Sequence, residues 1–262
     1  MRCIQTGSVR PKRGQRGVQR YIRDRWSDDV LPVNCFLVEG PGGLVLFDTG
    51  QSALAAEPGY LPRWHPFLRL SRFELRPADE VSRQIVDLGY SPADVRTVVL
   101  SHLHTDHIGG LPPFRSSEVV VTRLEWERAT GIRGAIRGYL PQHWPQGLEP
   151  RLVEWEPVPI GPFAESYSIS PDGDLTLVPI PGHTPGHAGL LVQADAGGTL
   201  LIGDAAHTAA EYLASAPAVE EWTLREHIIV LASHDADAAA LAGGAEKPTG
   251  AGSGRQPVGE AR

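Results

Sequence analysis

Apolar residues in this chain fall in short runs, broken by glycine, proline and charge. VNCFLVE (33–39) and LVLFD (44–48) flank GPGG, which predicts a β-hairpin with a glycine-rich turn. TVVL (97–100), EVVVT (118–122), DLTLVPI (174–180) and IIVLA (228–232) predict further buried strands. AGLLVQA (188–194) and TLLIG (199–203), joined by DAGG, predict a second hairpin. The helical period shows at Val81, Ile85 and Leu88, so 78–88 is expected to be an amphipathic helix entered at Pro77 and stopped by Gly89. LEWERAT (124–130) and EEWTLREH (220–227) also read as helices. Residues 51–76, broken by Pro58, Pro62 and Pro66, predict a surface loop with one short helix at most. Residues 131–150 predict a long Gly/Pro-broken loop, a kind of segment that often carries function.

Four of the predicted strands stop just before a residue able to bind a metal: His102, His183, Asp204 and His234. Strand ends and the loops beyond them form the usual site of α/β architectures, so the four ends are expected to converge. The densest chemistry lies in SHLHTDHIGG (101–110). In an extended segment His102 and His104 point the same way and can share one ion. Asp106 and His107 cannot comfortably join them at tetrahedral angles, so a second ion is expected. His183, Asp204 and His234 complete a set for two ions, and the two oxygens of Asp204 are enough to bridge. Imidazole and carboxylate suit zinc, with iron and manganese also accepted. Taken singly, His65, His143, His207 and His227 are read as ordinary surface or core histidines.

The 262-residue chain is 41% hydrophobic and 21% charged, ordinary values for a globular protein. No apolar run is long enough to span a membrane, and the N-terminus lacks the apolar segment of a signal peptide. Two cysteines without a CxxC pair argue against a disulfide framework and fit a reducing cytosol. The net charge of −7 is uneven, for residues 1–25 carry eight arginines and lysines against Asp24 alone. Without any nucleic-acid-binding signature, residues 1–30 are read as a solvated basic arm, or one docking on an acidic neighbour in a homodimer. Residues 31–239 are read as one domain. Residues 240–262, rich in alanine, glycine and polar residues, are read as a disordered tail.

The HxHxDH run, the downstream PGHTPGH, the aspartate after a hydrophobic strand and the late SHD together resemble the metallo-β-lactamase superfamily. The FDTG hairpin end and RGYLPQHWP look closest to its N-acyl-homoserine lactonase-like, quorum-quenching members. The resemblance covers about residues 30–235. It implies an αββα four-layer sandwich, with two mixed β-sheets flanked by helices and a dinuclear site at one edge. It also implies one ion on His102, His104 and His183, a second on Asp106, His107 and His234, and Asp204 as the bridge. His187 and Asp48 would then support ligands rather than bind metal. In such lactonases a tyrosine often sits three residues after the bridging aspartate and hydrogen-bonds the substrate carbonyl. His207 stands at that position here and can donate in its place.

The expected reaction is hydrolytic opening of a small cyclic ester by a hydroxide held between two divalent ions, with Asp106 passing a proton to the leaving oxygen. No GxSxG elbow, phosphate-binding loop or dinucleotide fingerprint competes with this reading. Alternatives with the same site are cleavage of a thioester or β-lactam. A further alternative is a metal-binding module without turnover, because only 29 residues separate Asp204 from His234, fewer than usual in the family. The expected partner is a small-molecule substrate, with no nucleic acid or membrane. Trp64, Phe67, Tyr139, His143 and Trp144 are candidate pocket-lining groups, with ordinary loop packing as the alternative.

Overall fold

The structure, a computed structural model, describes residues 1–11, 29–40, 42–60, 71–131, 133–194 and 197–243. Strands β1 (Arg2–Pro11), β2 (Leu31–Gly40), β3 (Gly43–Phe47), β4 (Ser71–Glu74), β5 (Val95–Val99), β6 (Glu118–Thr122) and β7 (Arg151–Val153) form a seven-stranded mixed sheet in the order β4-β1-β2-β3-β5-β6-β7. Strands β8 (Tyr167–Ser168), β9 (Leu175–Pro179), β10 (Ala188–Ala194), β11 (Gly197–Leu201) and β12 (Ile228–Leu231) form a five-stranded one in the order β12-β11-β10-β9-β8. Six α-helices are described: α1 (Val81–Asp87), α2 (Thr105–Ile108), α3 (Arg123–Thr130), α4 (Ala209–Ser215), α5 (Pro217–Arg225) and α6 (Ala238–Gly243).

The layering follows from strand alternation. Phe36 and Val38 of β2, Val45 and Phe47 of β3, Val99 and Val120 face Leu175, Leu177, Leu190, Leu201 and Leu231 of the other sheet. Their sequence neighbours point the opposite way. Cys35, Leu37, Leu44, Leu46 and Val98 pack outward with Val81 and Ile85 of α1 and Ala129 of α3. Val178, Leu191, Leu200 and Val230 pack outward with Tyr212 of α4 and Val219 and Trp222 of α5. Both faces of each sheet are thereby covered, giving the expected helix–sheet–sheet–helix sandwich. The two cysteines are free thiols, and no described helix is long and apolar enough to cross a membrane.

The N-terminus differs from its sequence reading. Arg2–Pro11, expected to be part of a basic arm, is a strand paired antiparallel with both β2 and β4. Its register slips between Gln5 and Ser8, so Ile4 and Val9, its two buried apolar side chains, lack a regular period. Arg10 instead meets Glu74 of β4 at 3.5 Å. The helix expected over 78–88 is shorter, with a 3-10 turn at Pro77–Asp79 ahead of α1. The expected tail begins as α6, whose Ala238 and Ala242 are buried at the rim of the inter-sheet core. Residues 12–28 of the arm and 244–262 of the tail, and Trp64, Phe67 and His65, lie outside the described residues.

Candidate metal centre

Parallel register delivers the histidine-rich segment to the sheet edge. Phe47 of β3 lies beside Val99 of β5, and the Asp48 N–H donates to the Val99 carbonyl at 2.9 Å. Ser101 and His102 follow at the end of β5. His104 caps the single turn of α2, which carries Asp106 and His107. Thr49 holds this turn, donating through both its N–H (2.7 Å) and its hydroxyl (2.8 Å) to the His107 carbonyl.

The smaller sheet supplies the facing residues. The β9–β10 loop carries His183 and His187, with the Ile180 N–H donating to the His187 carbonyl at 3.1 Å. Leu201 of β11 pairs in parallel with Leu231 of β12. Asp204 and His234 lie three residues beyond these partners and therefore leave the sheet at the same level. The ladder continues through Ile202 N–H to the Leu231 carbonyl (2.9 Å) and Ser233 N–H to the Gly203 carbonyl (3.0 Å). The short 205–233 segment folds as α4, α5 and β12 and leaves His234 at the edge with Asp204.

All seven expected ligands come together. His102 Nε2 lies 3.1 Å from His104 Nδ1, which lies 2.9 Å from His183 Nε2. Asp204 Oδ1 is 3.2 Å from His107 Nε2, and its Oδ2 is 3.3 Å from His234 Nε2 and 3.6 Å from His183 Nε2. Asp106 Oδ2 is 3.9 Å from His234 Nε2. Three groups therefore have donor atoms close enough to hold one ion: His102/His104/His183, Asp106/His107/His234 and His102/His107/Asp204. Asp204 lies between the first two groups. The site opens to solvent beside His183, whose side chain is 34% exposed, while His102 and His107 are closed off.

The outward hydrogen bonds decide which nitrogen faces the centre. His104 Nε2 faces the Arg137 carbonyl at 3.1 Å, His107 Nδ1 faces Asp48 Oδ2 at 2.8 Å, and His234 Nδ1 faces the Pro32 carbonyl at 2.7 Å. Each acceptor demands an N–H, so the other nitrogen of each neutral ring turns a lone pair inward. Ser101 does the same for His102. Its hydroxyl donates to Asp48 Oδ2 (2.7 Å) and so accepts from His102 Nδ1 (3.0 Å). Inward-facing nitrogens on four buried imidazoles, the carboxylates of Asp106 and Asp204 and, among the described residues, no hydrogen-bond partner for His107 Nε2 or Asp204 Oδ1 make a donor set that fits divalent cations.

Electrostatics agree. Burial holds His102 well below the ordinary imidazole value and His104 down to about 3, keeping both neutral. Burial would also lower His107 and His234, but carboxylates overcome it. Asp204 and Asp48 raise His107 well above its ordinary value, and Asp204 and Asp106 raise His234 to about 9. The carboxylates thus draw positive charge to the inward face of these rings, where a bound metal ion would take the place of the proton.

Other residues divide clearly. His187 is buried, and its Nε2 accepts from the Asp204 N–H at 3.1 Å, so it positions the aspartate. Asp48 takes the supporting place expected of it, and its Oδ1 also accepts from the Ser101 N–H at 2.8 Å. His207 is exposed at the rim, its ring 6.3 Å from that of His234. Tyr139 is buried with its ring 5.1 Å from His104, and Trp144 stacks on Trp126 of α3. His143 stacks on Tyr60. The sequence reading missed Ser101 and Glu125. Glu125 is fully buried and accepts from the Leu103 N–H (3.1 Å) and the Thr184 hydroxyl (2.7 Å). A glutamate in an amphipathic helix gives no signal of this role.

The metallo-beta-lactamase superfamily profile matches residues 28–243. The chain belongs to that superfamily. Within it, the chain is 39% identical over 185 residues to the probable metallo-hydrolase Rv2300c of Mycobacterium tuberculosis. That match takes in 67% of this chain but 57% of the relative, so the chain spans little more than half of that protein's length. It is 35% identical over 187 residues to the N-acyl homoserine lactonase AttM of Rhizobium radiobacter, covering 70% of this chain and 68% of AttM. A solved N-acyl homoserine lactone hydrolase, with the product N-hexanoyl-L-homoserine at its catalytic metal centre, superposes with a TM-score of 0.70. It covers 90% of this chain and 93% of its own at 24% identity, a likeness of fold.

Proposed function

We propose that the chain is a hydrolase that depends on two divalent metal ions, zinc fitting best, and opens a small cyclic ester of the N-acyl homoserine lactone kind. The observation that carries this reading is the inward convergence of seven donors from the facing edges of two sheets. The 35% identity to AttM supports the choice of ester. His102, His104 and His183 would hold one ion, and Asp106, His107 and His234 the other. Asp204, within 3.3 Å of His107 and His234 and 3.6 Å of His183, would join them.

Ions bound there supply a water of lowered pKa and an electrophile for a carbonyl oxygen. The chain's own residues do the rest. Asp106 is buried near His234 and is suited to carry a proton to the leaving alkoxide oxygen. His207, on the rim beside His234, is placed to donate a hydrogen bond to a substrate carbonyl. The solvent opening beside His183 is the way in for a small molecule.

The test is hydrolysis by the zinc-loaded protein of a panel holding acyl homoserine lactones, a glutathione thioester and a β-lactam. Lactone opening that a chelator abolishes and zinc restores is expected. Turnover of the thioester or β-lactam alone would move the reading to those substrates. Two bound ions with no turnover of any of them would leave a metal-binding module.

A further inference from the structure

We propose that Glu125 is a positioning residue for the ion site of His102, His104 and His183, tying the two loops that carry those ligands to one carboxylate. The inference rests on the metal reading above and deepens it.

The three histidines come from segments far apart in sequence. His102 and His104 follow β5, and His183 lies in the β9–β10 loop. Their nitrogens approach within about 3 Å only if the two loops hold a fixed mutual position. Glu125, in the first turn of α3, provides a link to each. Its Oε1 accepts from the N–H of Leu103, the residue between the two histidines (3.1 Å), and its Oε2 accepts from the hydroxyl of Thr184, the residue after His183 (2.7 Å). Both partners are buried. The helix start is itself locked to the same loop. Thr122 caps α3 by accepting from the Glu125 N–H (3.3 Å) while donating to the Gly186 carbonyl (2.6 Å). Gly186 packs so close that a Cβ there would overlap the Glu125 backbone nitrogen.

A carboxylate is suited to this position because it has two acceptor oxygens and no donor, matching two donors from two loops. Glu125 is also fully buried, and among the described residues none of the ion pairs involves it. Its carboxylate is held by hydrogen bonds alone, so a cation on the adjoining histidines would add a favourable charge beside it. Outer partners of this kind typically contribute about 10- to 100-fold in metal affinity.

The experiment titrates zinc into the metal-free full chain against a chelator of known affinity. It compares the parent with Glu125→Gln, Thr184→Val and Thr184→Ser, and a circular dichroism spectrum of each checks folding. Thr184→Val removes the hydroxyl at nearly constant volume, and Thr184→Ser keeps it, so the pair stays informative if Glu125→Gln does not fold. The parent is expected to bind two zinc ions. Glu125→Gln and Thr184→Val are expected to bind one as the parent does and the other about 10- to 100-fold more weakly, with Thr184→Ser restored. Unchanged affinity for both ions in Glu125→Gln and Thr184→Val overturns the proposal. So does a lowered melting temperature of the metal-free variants with zinc affinity intact, or equal loss in Thr184→Val and Thr184→Ser. A parent that binds no zinc overturns the metal reading itself, and this is read before any variant is compared.

Discussion

At the scale of single residues, Asp48 shows how much of the centre depends on groups that need not touch an ion. It is one of two described non-glycine residues with positive φ, at 60°. Such a conformation costs on the order of 1 kcal/mol or more and persists where the surroundings over-determine it. Here three donors do so: the Ser101 N–H, the Ser101 hydroxyl and His107 Nδ1. In Asp48→Asn the backbone N–H of Ser101 keeps the amide oxygen at the Oδ1 position, so the amide NH2 takes the Oδ2 position and faces both the Ser101 hydroxyl and His107 Nδ1. The His107 tautomer then reverses and its inward lone pair is lost. The ion held by Asp106, His107 and His234 is expected to bind about 10- to 100-fold more weakly, with the His102/His104/His183 ion retained. Zinc content after dialysis against a graded chelator reads this directly, and two ions held at parental affinity would refute it. The clustered candidate ligands His102, His104, Asp106 and His107 were legible in the sequence because three histidines and an aspartate within six positions make neither a good core nor an ordinary surface. Glu125 was not, because its partners lie 22 and 59 residues away and nothing in LEWERAT marks it out.

At the scale of elements, legibility tracked regular alternation. The strands that send one side chain into the inter-sheet core and the next outward, β2, β3, β5, β6, β9, β10, β11 and β12, all lay where the apolar runs placed them. β1, β4, β7 and β8 did not announce themselves. β7 and β8 have three and two residues, too few to show a period. β4 has one buried side chain, Phe73. β1 is bulged, and its buried Thr6 is polar, donating to the Val33 carbonyl at 3.1 Å. That threonine ties the strand to the edge that carries the candidate metal centre, for it packs against Gly50 of the Asp48–Gly50 turn. Gly50 has φ of 68°, and a Cβ there would overlap the Thr6 hydroxyl. Gly50→Ala therefore meets both a disfavoured backbone and a closed space, and it is expected to destabilise the fold by about 1–3 kcal/mol. The urea midpoint measures it. An unchanged midpoint would mean that β1 does not press on this turn, and that the N-terminal residues are closer to the free arm their charge suggested.

At the scale of the whole molecule, the centre joins two halves. His102, His104, Asp106 and His107 belong to the edge of the seven-stranded sheet, and His183, Asp204 and His234 to that of the five-stranded sheet. Each proposed ion therefore takes ligands from both sheets and acts as a cross-link at the open end of the sandwich, where the apolar inter-sheet core stops. The direct ties across that edge without an ion include the Ala188 N–H to the Ser101 carbonyl (3.0 Å), the Asn34 N–H to the Ser233 carbonyl (2.8 Å), the Asn34 side-chain amide to the Asp235 carbonyl (2.9 Å) and His234 to Pro32. A ligand that binds the folded chain alone stabilises it by mass action, about 4 kcal/mol when present at a thousand times its dissociation constant. For a domain of this size each kcal/mol moves the melting temperature by about 2–4 °C. Stripping the ions is therefore expected to lower it by about 8–16 °C per ion lost, and zinc should restore it. Because the cross-link joins the sheets rather than building either one, the metal-free chain is expected to keep its far-ultraviolet circular dichroism at 25 °C. Equal melting temperatures with and without chelator, in a chain shown to bind zinc, would mean that the unfolded chain binds the ions as well as the folded one, and would refute the cross-link.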